Sequence, residues 1–191
     1  MPKVTIDDCS ATLEVDTTTP RMRAMMKPRR TLGFVIVGAL TVTGAPTRAT
    51  DTKPAANVEL QTSRGTTARL SDFKGSVVLL DFWASWCPPC KKSFPAINAL
   101  YRDFHRRGLE VLAVNMDERR RDADSFLSAH SHVMPVFFDP RGAALQALGV
   151  LGLPTALLID RSGNIRFTHI GYSERIGEQC RPEIDMLLKE P

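Results

Sequence analysis

The sequence predicts an α/β protein in which helices flank a mixed central β-sheet. Three observations predict it. Residues 77–83, Val-Val-Leu-Leu-Asp-Phe-Trp, are almost continuously apolar, as a central strand buried on both faces reads, and they lead directly into a helical pattern. Apolar runs then alternate with helical periodicity as far as Leu148, the pattern of strands joined by crossover helices. Two further runs separated by Arg161-Ser162-Gly163-Asn164 read as a hairpin with a closing helix behind it.

With 191 residues, 43% of them hydrophobic, one main core is expected. A charged fraction of 24% with 12 Gly and 13 Pro excludes a disordered, collagenous or multi-span membrane chain. The net charge of +4 is unevenly placed: residues 1–49 hold seven Lys/Arg against four Asp/Glu, and residues 50–191 hold eighteen against seventeen. A nearly neutral folded part lacks the concentrated basic face that phosphate binding needs, so nucleic acid is excluded as its main partner.

At the amino end, Thr31 to Gly44 is an apolar run preceded by Arg21, Arg23, Lys27, Arg29 and Arg30 with no acid among them, the layout of an export signal. The run is shorter than the roughly 18–20 apolar residues that span a bilayer. Cleavage is expected after Ala49, with an uncleaved anchor formed by residues 31–44 as the alternative; either leaves the domain periplasmic or otherwise extracytoplasmic. Residues 1–24 have no apolar periodicity and read as an extension upstream of a true start at Met22, Met25 or Met26. Residues 25–49 are then the signal peptide or anchor, and polar, proline-containing residues 50–56 a linker.

The elements follow in order. Val58 to Gln61 alternates as a short strand, Arg64-Gly65 is a turn and residues 68–75 a connection. After the strand at 77–83, Pro88 and Pro89 open a helix that carries Ile97, Leu100, Tyr101 and Phe104 at helical spacing and stops at Gly108. Leu109 to Met116 reads as a strand, Asp122 to His130 as a helix, Val136 to Phe138 as a strand, and Ala143 to Leu148 as a short helix ending at Gly149. Thr155 to Ile159 and Ile165 to Ile170 are the hairpin strands; Ile176 to Lys189 is the last helix, with a break expected at Pro182.

The chemistry sits in Trp86-Cys87-Pro88-Pro89-Cys90. A Cys-x-x-Cys pair that ends a buried strand and opens a helix places the first sulfur at the helix amino terminus, where unpaired N–H groups and the helix dipole favour a thiolate. Cys87 is then the nucleophile. Cys90, one turn on, can attack the mixed disulfide that Cys87 forms, so the pair can cycle between dithiol and disulfide with no other cofactor. The competing readings are a static disulfide and a zinc knuckle; Cys180 alone cannot complete four zinc ligands, and nothing sets His130 or His132 beside it.

The stretch Asp81 to Lys92, with Pro95 beyond it and Leu153-Pro154-Thr155 before a strand, resembles the thioredoxin superfamily, and more narrowly the exported TlpA/ResA-type thiol:disulfide oxidoreductases, an AhpC/TSA-related group. The narrower resemblance rests on an extra helix–strand unit at about 120–138, on Gly149 to Thr155 and on Ile159 to Ile165. It covers roughly residues 57–190, essentially the whole domain expected at 57–191, and implies a thioredoxin fold carrying that insertion. It further implies that Pro154 is cis and faces the cysteines, that the backbone of Leu153 pairs with an extended substrate, that Pro95 kinks its helix, and that Trp86 partly covers the sulfurs beside Pro88 and Pro89.

Asp81 interrupts an apolar strand six residues before Cys87, and an ionised carboxylate there is costly, so a raised pKa is expected. It matches the buried aspartate of thioredoxin, and the role of general base for Cys90 is assigned to it. The alternative is a structural carboxylate satisfied by backbone or a lysine. Ser93 stands where cytochrome c maturation reductases of this group commonly carry glutamate, which weakens a cytochrome c assignment. Arg119-Arg120-Arg121, flanked by Asp117, Glu118, Asp122 and Asp124, reads as a solvated, charge-balanced run. Met116, Met134 and Cys180 read as core, and His169 as an outward residue without a role.

Together these readings give a monomeric protein-disulfide oxidoreductase that reduces disulfide-bonded protein substrates outside the cytoplasm, recharged by a membrane electron donor of the thiol-transporter type. The alternatives are a disulfide oxidant and, from another class, a Cu(I)-binding thiol protein using Cys87 and Cys90 without turnover. A peroxidase would want Thr or Ser three residues before its cysteine, where this chain has Ala84.

Overall fold

The computed structural model describes residues 53–191. The extension, the signal or anchor with its cleavage at Ala49, and the first residues of the linker lie outside the described residues. Among the described residues no helix is long and apolar enough to cross a membrane.

Eight strands form one sheet: β1 (Lys53–Pro54), β2 (Glu59–Thr62), β3 (Thr67–Arg69), β4 (Val77–Trp83), β5 (Leu109–Asn115), β6 (Val136–Phe138), β7 (Thr155–Ile159) and β8 (Asn164–Ile170). Among the described residues four α-helices accompany the sheet, α1 (Pro88–Phe104), α2 (Arg120–Ala129), α3 (Ala143–Ala147) and α4 (Ile176–Lys189). The strand order is β1-β8-β7-β4-β5-β6-β2-β3; β4–β5 and β5–β6 are parallel and the other pairs antiparallel, so the sheet is mixed as expected.

β4 is central because every one of its side chains is buried. Alternation divides them: Val77, Leu79 and Trp83 join the core under α1, α2 and α4, while Val78, Leu80 and Phe82 join the core on the opposite face. At about 1.5–3 kcal/mol for each fully buried large apolar side chain, this strand is a principal source of stability. Trp83, Phe94 and Phe126 meet with ring centroids 5.0–5.2 Å apart and fasten α1 and α2 over the end of β4 that leads into the Cys87–Cys90 turn.

Three expectations need correction. The connection at 68–75 contains β3, which pairs with β2, and a 3-10 turn over Leu70–Phe73. Pro182 does not break the last helix: α4 runs continuously through it, just as α1 runs through Pro95. Lys53 and Pro54, expected within the linker, pair with Ile165 and Asn164 at the margin of β8. The long helix ends at Phe104, with a 3-10 turn leading to Gly108, whose φ of +103° is the left-handed conformation glycine adopts without strain.

Candidate active site

Four segments meet at one end of the sheet: the turn after β4, the start of α1, the loop after β5 and the loop before β7. Cys87 caps α1 with extended backbone, and Pro88 and Pro89 fill the first two helical positions. Prolines suit those positions because their missing N–H groups would find no partner inside the helix. The first remaining free donor is the Cys90 N–H, and it donates to Cys87 Sγ at 3.2 Å. The two sulfurs are joined in a disulfide. Cys87 is 4% exposed and Cys90 fully buried, whereas Pro88 is exposed and Pro89 half-buried, so Cys87 is the more accessible sulfur of the pair.

Trp86 is 65% exposed, which excludes a core-packing role. It borders an open groove of about 640 Å³ whose other walls include Met116, Asp117, Arg119, Pro140 and Arg141.

The turn itself is anchored by Asp117. Its carboxylate accepts hydrogen bonds from Ser85 N (3.1 and 3.2 Å), Ser85 Oγ (2.9 Å) and Asn115 Nδ2 (2.8 Å), while Asp117 N donates to Asn115 Oδ1 at 3.0 Å. Asp117 is 3% exposed and Asn115 buried, so the reading of Asp117 as part of a solvated charge run is wrong. The available signal was position: polar residues directly beyond the carboxyl end of a buried parallel strand lie where α/β proteins place their sites.

On the opposite side, the Leu153–Pro154 peptide bond is cis. The β4–β7 ladder ends at Phe82 opposite Thr155, which leaves Trp83 and Pro154 at the same end of the sheet. Gly171 N donates to Pro154 O at 2.8 Å, and Lys92 Nζ of α1 lies 5.6 Å over the Tyr172 ring, tying this loop to the helix that carries the cysteines. Half-buried Leu153 packs on the core cluster that contains Cys87 and Cys90.

Asp81 is 2% exposed and faces the α1/α4 side of the sheet, the side of Cys90. Burial raises its pKa from 3.8 to about 7. Oδ2 has no hydrogen-bond partner, and neither a backbone donor nor a lysine satisfies it. Ser93 is buried, with Oγ donating to Cys90 O at 3.0 Å, so this helix position carries no second acid.

His169, read as outward, instead turns beneath α4, where its Nε2 lies 2.7 Å from Glu183 Oε2. Cys180 is a free, fully buried thiol, as expected of a core residue, and burial with the nearby Glu183 and Asp81 carboxylates pushes its pKa to about 12. His130 stacks on Phe126 and His132 lies edge-on to Phe94, where neither joins the cysteine pair.

The AhpC/TSA family profile matches residues 52–168. The chain is 34% identical over 138 residues to the thiol-disulfide oxidoreductase ResA of Bacillus thuringiensis subsp. konkukian, covering 72% of this chain and 76% of that protein. It is 35% identical over 134 residues to ResA of Bacillus subtilis, covering 70% and 74%. Among solved structures, a candidate thiol:disulfide interchange protein DsbE from Chlorobium tepidum superposes with a TM-score of 0.68 at 39% identity, over 72% of this chain and 96% of that one.

Proposed function

Because the chain belongs to the AhpC/TSA family, and within it to the ResA-like thiol-disulfide oxidoreductases of the thioredoxin superfamily, we propose that it reduces disulfides in proteins outside the cytoplasm through a Cys87/Cys90 dithiol cycle. The observation that carries this reading is the placement of Cys87 Sγ at the start of α1, where it accepts the one free N–H of the first turn between exposed Trp86 and Pro88.

The cycle follows from that placement. The Cys87 thiolate attacks one sulfur of a substrate disulfide, forming a mixed disulfide and releasing the first substrate thiolate, which takes a proton from water. Asp81, whose pKa burial raises to about 7, accepts the Cys90 proton. The Cys90 thiolate then attacks Cys87 Sγ, forming the Cys87–Cys90 disulfide and expelling the second substrate thiolate. Two electrons pass from the dithiol to the substrate. The backbone of Leu153 beside cis-Pro154 pairs with the extended substrate segment, while Trp86, Pro88 and Pro89 form the surface against which it lies. Two electrons from a membrane thiol transporter return the enzyme to its dithiol form, and the protein acts as a monomer.

Trapping tests the order of attack. With Cys90→Ser, Cys87 should accumulate a mixed disulfide with a protein substrate, and Cys87→Ser should accumulate little. Equal trapping by the two variants would remove Cys87 as the nucleophile. A mature amino terminus near Thr50 in exported material tests the location, and full-length protein in the cytosol would refute it.

A further inference from the structure

Asp81 can return its proton to Cys90 during recharging, but at 2% exposure it needs intermediaries to exchange that proton with solvent. The sheet register marks an exit. Asp81 stands between Ala113 of β5 and Ala156 of β7, and Ala156 stands beside His169 of β8. Residues opposite one another on neighbouring strands share a face, so Asp81 and His169 flank Ala156 under α4, about 10 Å apart at about 4.8 Å per strand. Ala156 puts only a methyl group between them.

Helix α4 packs over this notch and brings Cys180 and Glu183 to it. The ligand-type atoms of His169, Cys180 and Glu183 all lie within 4.8 Å of one another. The side chains of His169 and Glu183 are 17% and 22% exposed, which gives the group an outlet, and Cys180 lies wholly inside.

We propose that Cys180 is a proton relay that connects Asp81 to the His169–Glu183 pair and through it to solvent. The proposal rests on the reading of Asp81 as general base. In the disulfide form Asp81 Oδ2 makes no hydrogen bond to Cys180, so transfer requires the side chains to move into reach; as the protonated Asp81 carboxyl group then gives its proton to Cys180 Sγ, the Cys180 S–H gives its own to Glu183 or His169, which passes a proton to water. The thiol ends as it began, no electron moves, and Asp81 is ionised again. A thiol held protonated by burial can donate and accept in this way. The titratable groups around Asp81 among the described residues are Cys90 on α1, Cys180 and Glu183 on α4 and His169 on β8; β5 and β7 contribute only alanines at this row.

The test uses single turnover of the reduced protein with a nitrobenzoate disulfide, whose thiol absorbs visible light when released: the first release reports attack by Cys87 and the second reports closure by Cys90. With a working relay, protonated and ionised Asp81 interchange quickly and the second release is a single phase. Cys180→Val plugs the notch with an apolar group, so molecules that start with Asp81 protonated should wait. The second release should then split in two, with a slow phase about 10²-fold below the fast one, the lower end of what positioned proton transfer contributes. Its amplitude should grow as pH falls, following the Asp81 titration. Cys180→Ser, whose hydroxyl relays as well, should restore one phase. Should Cys180→Val not fold, the His169→Gln/Glu183→Gln double variant carries the same expectation. A single parental phase in Cys180→Val or in the double variant overturns the relay, as does a Ser variant split like the Val variant. Asp81→Asn separates the two ideas: if it slows closure while Cys180→Val does not, the relay alone fails, and if it closes at the parental rate, the general-base reading fails.

Discussion

Replacing Asp81 by Asn keeps the shape of the side chain and removes its titration, and the structure sets the size of the effect. In the folded protein the carboxyl group titrates at about 7 instead of 3.8 because it is buried. Below the lower value both folded and unfolded chains hold the proton. Between the two values the unfolded chain releases it while the folded chain keeps it, so stability falls as pH rises, and above about 7 the loss is complete. Three pH units at about 1.4 kcal/mol each make the ionised carboxylate cost about 4 kcal/mol, of which about 3 kcal/mol falls between pH 5 and pH 8.5. Urea unfolding of the oxidised proteins isolates the effect, since the bonded Cys87 and Cys90 do not titrate. The parent should lose about 3 kcal/mol between those two pH values relative to Asp81→Asn. The buried amide adds a constant offset and no slope. In the reduced proteins, attack by Cys87 should be unchanged in the variant and closure by Cys90 slowed by about 10²–10⁴-fold near pH 7. A stability difference between parent and variant that stays constant with pH would refute burial as the source of the raised pKa, and parental closure would make Asp81 structural.

Asp117→Ala removes the acceptor that holds Ser85 and Asn115, and at about 1.5–3 kcal/mol for a hydrogen bond to a charged group it should cost at least about 3 kcal/mol in chemical unfolding, with Ser85→Ala costing less. Trp86→Ala, at a largely exposed position, should change stability by less than about 0.5 kcal/mol yet lower kcat/KM for a protein disulfide while sparing a small one; equal losses on both would remove Trp86 from substrate contact. Asp139, whose carboxylate accepts from Ala143, Ala144 and Leu145 N–H groups, holds the first turn of α3, and Asp139→Ala should lower stability by about 1–2 kcal/mol without affecting turnover.

What could be read in advance follows from range along the chain. The 77–83 strand and the helix after it announce themselves because unbroken apolar burial and a double proline at a helix start are local signals. Asp81 stood out for the same reason, a carboxylate among residues that had to be inside. β3 was missed because three residues with no fully buried side chain carry no periodicity, and their pairing with β2 is decided by the neighbouring strand. The break expected at Pro182 failed because Ile176, Cys180, Ile184 and Leu187 hold α4 to the core on both sides of the proline. His169 and Asp117 were misread through their partners: Glu183 lies fourteen residues from the one and Ser85 thirty-two from the other.

The two prolines that begin α1 also bias the direction in which electrons run. A helix start normally offers several N–H groups to a nearby anion, but Pro88 and Pro89 have none, which leaves Cys90 N alone to stabilise charge on Cys87 Sγ. Each donor aimed at that sulfur favours the thiolate, and a more stable thiolate makes the pair hold its electrons more tightly, which is the property of a strong oxidant. Stripping donors from the turn pushes the other way, toward a dithiol that gives its electrons up readily. The residues between the cysteines thus bear on polarity as well as shape: a substitution that restores an N–H at position 88 or 89 should make the pair a stronger electron acceptor.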